Sequence, residues 1–99
     1  MDINYTKKSV QSILERFYRF QSLKEKGNVD AIITMIDIIE AIKKCEFTER
    51  QKQVFFYHFL REYTLEEVAE KLQITKQSVQ EHKERTVTKV YKALVGGKP

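Results

Sequence analysis

An all-α fold of about five helices is predicted by three features of the chain. Apolar residues recur at three- and four-residue spacing through most of it. Hydroxyl residues stand three places ahead of Glu or Gln where two of those runs begin, at Thr48/Gln51 and Thr64/Glu67. Helix-breaking residues are confined to Gly27 and the end, Gly96, Gly97 and Pro99. The expected layout is one domain over residues 1–99. A helical N-terminal extension (1–46) leads into a second helical unit (47–95).

The first helix is expected from about Thr6 to Lys26, roughly twenty residues with Val10, Ile13, Leu14, Phe17, Tyr18 and Leu23 on one stripe. Gly27 and Asn28 end it and cap the next helix. Residues 29–44 are the most apolar part of the chain. Ala31, Ile32, Met35, Ile36, Ile39 and Ile42 make one broad face, which Ile33 and Ile38 extend. A helix this apolar is either the central core helix or a seam with a second copy. Thr48 and Gln51 open the third helix, expected to run to about Arg61. It carries Val54, Phe55, Tyr57, Phe59 and Leu60 as a hub between the two halves.

Thr64 and Glu67 open a short fourth helix whose Leu65, Val68, Ala69 and Leu72 share a face. Leu72, Gln73 and Ile74 then lead to Thr75, a second N-cap residue that opens the fifth and longest helix. Two helices joined this tightly make a helix-turn-helix, whose second member can lie in the major groove of DNA. Ala69 is small where the helices would cross, and Val79 faces back into that junction. Lys76, Gln77, Gln80 and Glu81 fill the opposite face.

Three blocks in order, FTERQKQVF (47–55), YTLEEVAEKL (63–72) and ITKQSVQ (74–80), resemble region 4 of the bacterial sigma-70 family. The resemblance covers roughly half the chain and implies a DNA-binding module. It departs from the family at several positions. Gln73 stands where the turn often has Gly, a left-handed position that is less comfortable for a side chain. His82 stands where Ile or Val packs inward, and a half-exposed, hydrogen-bonded ring is expected there. Phe56 and His58 replace exposed Arg, which suggests extra packing onto the N-terminal half. Gln77, Ser78, Gln80 and Glu81 replace an often Arg-rich set, so a standard promoter element is not the expected target.

Charge agrees with nucleic acid as a partner. The chain carries a formal +4, and residues 71–99 hold seven Lys or Arg against two Glu, whereas 45–70 hold three basic against six acidic. One cysteine, Cys45, excludes an internal disulfide and fits a reducing cytoplasm. No membrane-length apolar run or signal-peptide layout is present. Cys45, His58 and His82 lack metal-site spacing, and there is no phosphate loop or oriented nucleophile. No enzyme, cofactor or metal is expected.

The resemblance implies a DNA-binding transcription regulator of the kind common in phages and prophages, with the helix from Thr75 in the major groove. Lys76, Gln77, Gln80 and Glu81 would read bases, while Thr64, Thr75, Ser78, Lys83 and Arg85 would hold phosphates. Losing Lys83 should then weaken all sequences alike and flatten the salt dependence. RNA polymerase is a further candidate partner, and a homodimer could form through residues 31–42 or the aromatic hub. Two alternatives remain at this point: a sigma-like module that binds polymerase or a sigma factor without reading DNA, and a small terminase-like packaging subunit.

Overall fold

The computed structural model describes residues 5–17, 22, 23 and 25–96. Among them are five α-helices: α1 (Lys7–Glu15), α2 (Val29–Lys44), α3 (Glu49–Val54), α4 (Leu65–Leu72) and α5 (Lys76–Val95). Helix α5 packs against each of the other four. It is the axis of the fold.

Each start is chemically explicit. The hydroxyls of Thr6, Thr48, Thr64 and Thr75 accept N–H bonds from Ser9, Gln51, Glu67 and Ser78 at 3.0–3.2 Å. Gln51 and Glu67 reach back to the N–H of their own cap residues, which closes the boxes. The Asn28 side-chain oxygen caps α2 through the Ala31 N–H at 2.9 Å, and Gly27 beside it has φ 82°. A cap of this kind contributes about 1 kcal/mol.

The first helix is shorter than its apolar stripe suggests. It stops at Arg16, whose φ of −113° leaves the helical region. Val10 and Leu14 are buried as expected, with Ile13 and Phe17 packed beside them. Leu23 is exposed instead. Tyr18 lies outside the described residues.

The third helix also changes character. Beyond Val54 it widens into a π-helical turn, Phe55–Leu60, closed by the Arg61 N–H on the Phe56 carbonyl at 3.0 Å. The turn sends Phe55 and Phe59 to one core, while Val54 and Tyr57 join another. Phe56 and Leu60 are left outside, 44% and 45% exposed. This corrects the expected inward Leu60 and the expected extra packing of Phe56. The hub is half an aromatic cluster and half an exposed ledge.

Two cores result, both threaded by α5. The larger joins Val10 and Leu14 of α1, Ile38 and Ala41 of α2, Phe55 and Phe59, and Val87 and Val90. The smaller is Val54, Val68 and Val79, ringed by Tyr57, Tyr63, Leu65, Ala69, Leu72 and Ile74. Helix α2 turns inward with Ala31, Met35, Ile38 and Ala41, not with the full isoleucine face. Ile36 and Ile39 point to solvent, at 53% and 37% exposure, which corrects two of the expected inward positions. Small Ala31 and Ala41 lie on the covered side, and Ala41 packs in the larger core with Val87 and Val90 of α5.

The turn between α4 and α5 is strained, as the family resemblance implies. Gln73 sits at φ 56°, ψ 46°, and its N–H reaches the last carbonyls of α4. A side chain costs about 1 kcal/mol in that left-handed region. Gln73→Gly is therefore expected to raise stability by about 0.5–1 kcal/mol, after the glycine's greater freedom when unfolded is subtracted. A thermal melt would show this as a midpoint a few degrees higher; a lower midpoint would mean that the side chain stabilises the turn.

Candidate nucleic acid interface

Everything that aims α5 outward is built around the smaller core. Val79 and Val68 are fully buried against each other and Val54, so the first turns of α5 lean across α4. The π-turn is tied to the same unit from behind. The Tyr63 N–H bonds the Tyr57 carbonyl at 2.9 Å, their rings stack at 5.5 Å, and Lys71 Nζ sits within 6 Å of both centroids. His58 Nδ1–H donates to the Tyr63 carbonyl at 2.7 Å. Burial lowers the basicity of that imidazole, against the pull of the bond. His58 is thus a structural strut.

With Val79 inward, Lys76, Gln77, Glu81 and Arg85 are exposed on α5, and Ser78 and Gln80 are half-buried at its edges. Several of these side chains already have partners. Lys76 Nζ lies 3.2 Å from Glu66 of α4, a mostly exposed and easily exchanged pair. Glu66's own backbone N–H, and then Lys76, hold that carboxyl below its usual range. The Gln80 amide donates to Glu84 at 3.1 Å. Thr64 and Thr75 spend an acceptor lone pair on capping, yet both stay exposed.

Lys83 does not belong to this surface. Its ammonium is 2.7 Å from the Glu15 carboxylate of α1 and 6.0 Å from the Phe59 ring centroid. Only 6% of the residue is exposed. The phosphate contact expected of it is corrected: one helical turn beyond Val79, position 83 faces the protein and not solvent.

His82 departs from expectation differently. The ring is half-buried, but its Nδ1 is buried without a hydrogen-bond partner. Desolvation, then Arg85 and Arg50, push its basicity below the ordinary histidine value. The ring is an imperfect replacement there for an aliphatic side chain.

Cations that the motif alone does not reveal flank the face. Along α5, Arg85, Lys89 and Lys92 line an open groove of about 570 Å³, and α1 contributes Lys7 to it. Glu81 and Glu84 line it as well, so its field is mixed. Lys89 is held by the Glu46 carbonyl and the Gln51 side chain, both at 2.7 Å. The surplus of Lys and Arg after residue 70 is the sequence signal for the α5 members; Lys7 depends on a tertiary neighbour. Cys45 donates its thiol to the Ala41 carbonyl at 3.2 Å. Among the described residues, no helix is long and apolar enough to cross a membrane.

A capped short helix, a tight left-handed turn and a longer helix projecting polar side chains define a helix-turn-helix DNA-binding domain. The family model of sigma-70, region 4, matches residues 46–92. That segment is a member of the sigma-70 region 4-like helix-turn-helix family. No curated protein and no solved structure matches the chain.

Proposed function

We propose that the protein is a sequence-specific transcription regulator that reads duplex DNA with the N-terminal half of α5 in the major groove. The observation that carries the proposal is the outward polar face of that helix, backed by its own small core. Gln77 and Gln80 have the amide geometry to pair with adenine, Glu81 can accept from cytosine, and Lys76 can donate to guanine. Thr64, Thr75, Ser78 and Arg85 hold phosphates and set the register. Gln80 must release Glu84 to take part. The resemblance to phage and prophage regulators supports a phage-derived protein working in the bacterial cytoplasm.

The test is selection of bound sequences from a random duplex pool, followed by titrations on the selected site and on random DNA. Gln77→Ala or Gln80→Ala is expected to cost about 1–3 kcal/mol on the selected site and little on random DNA. Arg85→Ala should weaken both and lower the slope of log K against log salt by about one. Equal losses on both DNAs for the two glutamines would remove their reading role.

One observation favours a second partner. Phe56 and Leu60 are exposed together on the π-turn, with the Arg61 guanidinium 6.0 Å from the Phe56 ring centroid. An apolar ledge with an adjacent cation suits a protein surface such as RNA polymerase. A chain that ignores DNA at low salt yet is retained by purified polymerase would replace DNA reading with protein recognition.

A further inference from the structure

The outer face of α5 changes charge along its length. Its two carboxylates, Glu81 and Glu84, both precede Arg85; from Arg85 to Val95 the helix carries Arg85, Lys89 and Lys92 and no acidic residue. At about 100° per residue, Arg85 and Lys92 fall about 80° and 60° around the helix from outward Gln77. The buried Val79, Lys83, Thr86 and Val90 lie about 180–240° around. Arg85 and Lys92 therefore continue the face that carries Gln77 and Glu81.

The fold does not use up these charges. Among the described residues, Lys7, Arg85 and Lys92 are exposed and none of them is ion-paired. Lys89 is held by two neutral oxygens, of the Glu46 backbone and the Gln51 side chain, so its charge is not cancelled. Lys7 reaches the same groove from α1, which Val10 and Leu14 fix against Val87 and Val90 of α5. With Lys8 it occupies the first turn of α1, where the helix dipole disfavours positive charge and no acidic residue offsets it. Helix stability does not account for a cation there.

We infer that Lys7, Arg85 and Lys92 together grip a phosphate strand of duplex DNA just outside the major groove, which makes the N-terminal helix part of the DNA interface. This rests on the reading of α5 as a recognition helix. Lys92 stands about 22 Å along the axis from Gln77, whereas the major groove is only about 12 Å wide. With the first turns of α5 among the bases, its last turns lie beyond the groove's edge, level with the sugar–phosphate backbone. The order of charge fits that division: carboxylates where base donors are read, cations where phosphates run. Contacts of this kind add affinity and fix orientation but carry no sequence preference.

Titration of the full chain on duplex DNA across a salt series tests the grip. On random duplex, Lys7→Gln and Lys92→Gln are each expected to lower the slope of log K against log salt by about one, and the two together by about two. Preference for the selected site over random DNA should not change. Thermal melts should match the wild type's, since both side chains are exposed. Lys26→Gln, at an exposed lysine outside the groove, should leave the slope as it is. Trimming the selected duplex back to the bases that α5 reads should abolish the difference between Lys92→Gln and wild type, but keep that between Gln80→Ala and wild type. Unchanged slopes in a protein that still binds DNA and still responds to Gln77→Ala would overturn the grip and leave the recognition reading standing. A loss no larger than that of Lys26→Gln would overturn it as well, by reducing the cations to general surface charge. A wild-type chain that ignores duplex DNA at low salt would remove both readings together.

Discussion

Val79→Asp is expected to remove the helix-turn-helix from the folded protein while leaving the chain's composition almost unchanged. Val79 has no exposed surface, and its neighbours Val54 and Val68 are equally sealed. The ring around them is largely apolar, formed by Tyr57, Tyr63, Leu65, Ala69, Leu72 and Ile74. An aspartate there is either an unpaired buried charge or a protonated acid without partners; either costs about 4 kcal/mol or more. Against the 5–15 kcal/mol typical of a whole domain, that loss consumes much of the stability. The thermal midpoint should fall by at least about 15 °C. Gln77→Asp, two residues away but exposed, should stay within about 0.5 kcal/mol of wild type. A Val79→Asp melt within a few degrees of wild type would show that water already reaches this junction.

The contrast between positions 77 and 79 is legible in the amino-acid sequence, because it follows from local rules. A Thr at an N-cap, with Glu or Gln three residues later at Thr48 and Thr64, fixes where a helix starts, and from that phase the inward and outward positions are counted. Thr48, Thr64 and Thr75 all cap helices, and Ala69 and Val79 fall at the crossing where their spacing puts them. The left-handed backbone at Gln73 has a different source: it is implied by the family resemblance, in which that turn position often holds Gly, and Gln73 takes it at φ 56°.

Helix α2 is not legible in this way. Isoleucine at 32, 33, 36, 38, 39 and 42 gives every direction an apolar residue, so periodicity cannot choose the buried side. Packing makes the choice: Ile38 and Ala41 meet Val87 and Val90 of α5, and Ala31 and Met35 are buried on the same side. The π-turn is hidden by its own composition. In a run of FFYHFL, many phases put aromatics inward, and the wider turn is decided by two cores pulling on adjacent residues. Lys83 is hidden by distance, because its partner is 68 residues away. In a stretch reading EHKERT, a lysine looks like surface charge.

Removing one member of the Lys83–Glu15 pair is expected to be costly, and unequally so. The Lys83 side chain is 8% exposed and that of Glu15 is 41% exposed. Glu15→Ala strands an ammonium beside the Phe59 ring with its carboxylate gone, at a cost of about 2–4 kcal/mol, below the full penalty because water can follow the vacated carboxylate. Lys83→Ala leaves a carboxylate that can turn to solvent, so its cost of about 1–3 kcal/mol is mainly the lost packing of the aliphatic stem. The double change Glu15→Leu with Lys83→Met removes both charges and keeps the volume, and should lie close to wild type. Chemical denaturation of the four proteins measures the coupling; additive losses would mean that the pair contributes nothing beyond its separate contacts. Lys83→Met is also expected to leave the salt slope of DNA binding unchanged, unlike Arg85→Ala, because its charge never faces the phosphates. The pair is therefore a polar joint between α1 and α5, set beside the larger apolar core that also holds them together. Loosening it should weaken DNA binding only as far as it destabilises the fold, with loss at every sequence and preference for none.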